Sequence, residues 1–180
     1  MFEGWRDFYV LLGTAAAGLI GLLFIVVTLT AGADRPRALR GASLYMTPTV
    51  VQFTTVLLIS AIATAPLNPA TARFLLLILG LATSLYAAVN MIRMFTAKEF
   101  KPTHWTDPIH YAAAPVVAYL ALAGAVVLGW TSPVHWPFAM GAMAVVILLC
   151  GIRNAWDLVT WLAPGARLDQ NAPKPTPPPG

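Results

Sequence analysis

Five long apolar stretches separated by short polar loops dominate this chain and leave few folds open to it. The spans cover about residues 7–31, 45–65, 71–95, 108–130 and 134–162. Each reaches the roughly 20 residues needed to cross a ~30 Å hydrocarbon core. Backbone N–H and C=O groups find no water there, so each span must satisfy them internally as a helix. The expected fold is all-α: a transmembrane bundle of five helices.

Charge orients the bundle. With alternating spans, nine of the 11 Lys and Arg residues fall on one side: Arg35, Arg37, Arg40, Arg93, Lys98, Lys101, Arg153, Arg167 and Lys174. Arg6 and Arg73 remain on the other. Basic loops resist translocation, which predicts an outer N-terminus and a cytoplasmic C-terminus. The same residues are placed to meet anionic headgroups, so membrane lipids are the expected partners and nucleic acid is not. Composition agrees: 58% of residues are hydrophobic and 10% charged, against roughly 25% charged in a soluble domain.

Residues 1–163 read as one transmembrane domain, and 164–180 as a disordered, Pro-rich cytoplasmic tail. Ala31-Gly32-Ala33 resembles a signal-peptidase site. The apolar run before it exceeds the ~7–15 residues of a signal h-region, so we read a retained first span. Pro48 opens span two, whereas Pro115 lies inside span four and predicts a bend there. Spans two and three, and four and five, are expected to form antiparallel hairpins.

Two groups of residues stand out as candidate sites. Gly13, Ala17 and Gly21 repeat at spacing four along span one. Small residues let helix backbones approach closely. This is either a seam inside the bundle, against span three or five, or a face for another chain. The second group is polar and sits toward the cytoplasmic side: Asn90, Arg93, Arg153, Asn154 and Asp157, with Gln52 and Thr49 at similar depth. Arg153 and Asp157 are one turn apart and can pair. The layer reads as a shallow vestibule for a headgroup or a partner's peptide, or as helix ends meeting water.

Chemistry finds less support. His104, Asp107 and His110 recur every three residues, but Pro108 separates loop from helix and breaks any common face. Cys150 is alone, so no CxxC site exists. Thr54, Thr55, Thr83, Ser84 and Tyr119 lie near the midplane with no acid or base among them, unlike the usual ion pathway. No catalytic residue, metal or cofactor is expected.

Trp5-Arg6-Asp7-Phe8-Tyr9 running into the Gly/Ala-rich stretch from Gly13 to Phe24, together with Gly151-Ile152-Arg153-Asn154-Ala155-Trp156-Asp157, resembles a group of small bacterial multi-pass proteins. The resemblance implies a bacterial inner-membrane protein and carries no catalytic residues. The expected function is non-enzymatic: a scaffold, accessory or regulatory subunit with a membrane-protein partner. A small transporter or homo-oligomeric channel is the alternative, followed by a lipid-acting enzyme. Coupling of the charge pair predicts that Arg153→Ala harms folding or assembly more than Arg153→Ala with Asp157→Ala, because the single change strands a carboxylate. A double-mutant cycle measures it, and additive effects would show that the two do not interact.

Overall fold

A computed structural model describes residues 2, 4–30, 47–96 and 113–162. The described residues form five helices and no strand: α1 Arg6–Thr30, α2 Thr47–Thr64, α3 Pro69–Thr96, α4 Ala114–Thr131 and α5 Trp136–Leu162. All five are long and apolar enough to cross a membrane. The basic loops, His104, Asp107, His110 and the Pro-rich tail lie outside the described residues.

Local chemistry sets the helix ends. Asn68 accepts the Thr71 N–H at 2.8 Å through its side-chain oxygen, and Pro69 starts α3 where a missing N–H costs nothing. The α2–α3 connection therefore needs only a few residues. At the other short turn the Ser132 N–H donates to the Leu128 carbonyl at 2.7 Å, closing α4. Pro115 lies in the first turn of the described α4, and the preceding turn, where the bend is expected, lies outside the described residues. Pro48 likewise occupies the first turn of α2.

Helices α2, α3, α4 and α5 form a ring, and α1 lies outside it, mainly against α2 and less against α5. Around the ring, α2 packs on α5, α5 on α4 and α4 on α3. The α2–α3 contact is the lightest of the four, although only four residues join these helices. One end of the bundle gathers Trp5, Arg73, Gly129 and Trp136; the other gathers Val26, Val50, Asn90, Pro115 and Asn154. Successive helices thus alternate in direction.

Lipid offers no hydrophobic drive for helix association, so close packing and interhelical hydrogen bonds must supply it. Several approaches depend on a missing side chain, including these two between helices of the ring. A Cβ on Gly80 would stand 3.2 Å from the Ala123 Cα, so α3 and α4 meet nearly backbone to backbone. A Cβ on Gly151 would stand 2.5 Å from the Phe53 ring, which fills the space that glycine leaves on α5. The core around them includes Phe53, Val56, Leu76, Leu122, Trp136, Met140 and Ile147.

Gly80→Leu should cost about 1–3 kcal/mol by overpacking against Ala123. Gly21→Leu, with nothing within 4 Å of its added Cβ, should change stability by less than about 0.5 kcal/mol. Denaturant unfolding in micelles measures both, and equal effects would show that the α3–α4 approach is not the constraint.

Candidate functional site

Asn154 on α5 and Gln52 on α2 are both almost wholly buried, at 4% and 2% exposure. Asn154 Nδ2 donates to Gln52 Oε1 at 3.0 Å. A bare amide in this setting would carry the full cost of its lost hydration, so each side chain needs the other. The bond lies one residue from the Phe53–Gly151 contact on α2 and three residues, about one turn, from it on α5, so polar and steric locks hold the two helices together at nearly one level.

Gln52 also lines a small recess between α2, α3 and α4, with Pro48, Tyr86, Ala87, Asn90, Pro115 and Tyr119. Tyr119 is 2% exposed, and its hydroxyl has no hydrogen-bond partner among the described residues. The recess holds about 10 Å³, the space for one water, and has four polar side chains in its wall. Ligand pockets run to about 300–1,000 Å³, so this recess suits a bridging water and not an organic substrate or a lipid headgroup.

The five polar residues singled out in the sequence separate on this geometry. Asn154 is buried and bonded, and Asn90 is half-buried in the recess wall. Arg93 and Arg153 are exposed, and Asp157 is half-buried. Adjacent helix positions differ by about 100° in direction, which sends Arg153 outward and Asn154 inward. The two cations therefore do not charge the recess, which among the described residues is a neutral, water-sized space.

The small residues of α1 separate too. Gly13 is buried, and a Cβ there would stand 2.9 Å from the Ser60 Cβ of α2. Ala17 and Gly21 are exposed. Spacing four overshoots the 3.6-residue turn, so the row rotates about 40° per step and leaves the interface. The partner of Gly13 is span two, not span three or five.

Midplane hydroxyls are absorbed locally. Thr55 donates to the Val51 carbonyl at 2.7 Å, Thr83 to Leu79 at 2.7 Å and Ser84 to Gly80 at 2.7 Å. Such back-bonding to the preceding turn is how hydroxyls are tolerated in hydrocarbon.

Sequence reading missed the opposite end. Arg73 lies over the Trp136 ring at 5.1 Å and near Trp130 at 6.0 Å, both in cation–π range. Phe2 stacks on Tyr9 at 5.1 Å and on Trp136 at 5.0 Å, and the Tyr9 hydroxyl donates to the Pro137 carbonyl at 2.8 Å. The signal was present: aromatics flank the start of span one and the turn between spans four and five, as in an interfacial belt. What hydropathy could not show was that Trp136 joins the two groups, with Phe2 on one side and Arg73 on the other.

Comparison with protein-family models, with curated proteins and with solved structures gave no match.

Asn154→Ala should destabilise the bundle by about 1–3 kcal/mol, because it strands the Gln52 amide. Combined with Gln52→Ala in a double-mutant cycle, the coupling should be about 0.6–1.7 kcal/mol, the range for hydrogen bonds between membrane helices. Unfolding free energies in micelles provide the test; zero coupling would remove the bond from the account.

Proposed function

We propose that this chain is a non-enzymatic scaffold, accessory or regulatory subunit of a bacterial cytoplasmic membrane, and that α1 is its partner-binding helix. The observation that carries this reading is the exposure of Thr14, Ala17, Gly18 and Gly21 on α1. These positions follow the i, i+3, i+4, i+7 pattern of one helical face. A Cβ added to Gly18 or Gly21 meets nothing within 4 Å. Among the described residues nothing packs closely on this face, while small residues are the usual means of close helix approach in lipid.

The interior supports the same reading. Asn154 donates a hydrogen bond to Gln52, and the recess beside them accommodates water rather than substrate. Such an interior serves to hold a shape. In our reading the N-terminus is outside and the Asn154 end is cytoplasmic, from the distribution of Lys and Arg. Membership of the group of small bacterial multi-pass proteins that the sequence resembles belongs to this proposal as well.

The test is affinity capture from the native membrane after in-cell cross-linking, comparing wild type with Gly18→Leu and Gly21→Leu. A stoichiometric membrane-protein partner retained by wild type and lost from both variants, with unchanged melting temperature, is the expected result. Retention by both variants would refute α1 as the docking helix. Capture of this chain alone would turn the reading toward a homo-oligomer.

A further inference from the structure

Helices α1 and α5 touch at one end and part at the other. Toward Trp136, a Cβ on Gly141 would meet the Phe8 ring at 2.9 Å, and Tyr9 bonds the Pro137 carbonyl. Toward Asn154 the two helices separate around Phe53, which reaches Gly151 from α2. The gap is a groove of about 220 Å³, walled by Leu22, Leu23 and Val26 of α1 and by Ile152, Trp156 and Val159 of α5, with Phe53 among its lining.

An apolar cavity of about 150 Å³ in a soluble protein stays dry and accepts benzene. This groove is larger and runs between two membrane spans, where the surrounding medium is acyl chain. Left unfilled, its walls would forfeit dispersion contacts along both helices.

Charge narrows the occupant. Arg153 is exposed one turn from Trp156, which is itself 68% exposed. At 1.5 Å per residue, Arg153 and Trp156 lie about 25–30 Å along α5 from Trp136, where a ~30 Å hydrocarbon layer ends. An arginine stem there extends its head into the phosphate layer, and an indole favours the same depth. Asp157, one turn from Arg153, is half-buried whereas Arg153 is exposed, so the more exposed charge at this depth is positive. A phosphate brings the opposite charge.

We propose that this groove binds one acyl chain of an anionic phospholipid, with Arg153 and Trp156 holding its headgroup. The groove-lining Leu23 and Val26 project from a different face of α1 than Thr14, Ala17 and Gly21, whereas Leu22 lies one turn beyond Gly18. Lipid binding and partner capture can therefore fail separately.

The experiment titrates the full chain in micelles with phosphatidylglycerol or phosphatidylcholine and counts retained lipid by native mass spectrometry. One phosphatidylglycerol per chain, held in preference to phosphatidylcholine, is expected. Arg153→Gln should weaken phosphatidylglycerol about fivefold, toward the phosphatidylcholine level. Val159→Phe fills the groove from an exposed position and should weaken both lipids. Should that variant not fold, Ile152→Phe fills the groove from another exposed position on α5. Unchanged retention in the arginine and groove variants overturns the proposal. So does a stoichiometric disulfide dimer of Ile152→Cys in a Cys150→Ser background, which would put a second copy in the groove.

Discussion

Phe53 enters α5 where Gly151 has no side chain, and beside it Gln52 accepts the Asn154 hydrogen bond. The rest of the bundle hangs on this junction. α2 carries α1 on one side and touches α3 on another, while α5 carries α4. In lipid no hydrophobic force gathers the helices, so a place where shape and polarity both specify one pairing has unusual weight. Shape alone would permit the helices to slide. The buried amide pair fixes their register, because a shift of one turn would leave both groups bare.

The two ends of the bundle are stabilised by different chemistry. At the Asn154 end, amides and a water-sized recess meet the polar demand. At the Trp136 end, the charge of Arg73 is met by the indoles of Trp130 and Trp136, and Phe2 packs against Trp136. Between them the hydroxyls of Thr55, Thr83 and Ser84 turn back on their own helices. The midplane presents packing rather than hydrogen-bond donors.

Helix number and class were legible in the sequence because hydropathy reports directly on solvent. The depth of Gln52, Asn90 and Asn154 was legible too, since residue count along a span measures depth. Rotation was not. A helix that is apolar all round gives no stripe from which to read its inner face, so Arg153 and Asn154 looked like neighbours in one site although they face apart. The same ambiguity concealed the pairing of Gly80 with Ala123 and of Gly151 with Phe53, where a small residue on one helix answers a backbone or a ring on another. Complementarity between spans is a property of pairs, and one sequence lists only the members.

The hydrogen bond from Tyr9 to Pro137 joins residues 128 positions apart, and that from Asn154 to Gln52 joins residues 102 apart. A chain made from its N-terminus inserts α1 long before α5 exists. Tyr9 and its neighbouring rings must then wait in the interfacial layer, where aromatic side chains rest comfortably. Gln52 must wait without its amide partner until the last span arrives. Closure of the bundle is therefore an event at the end of synthesis, and a chain halted after α4 would hold its first two helices without the surface meant to receive them.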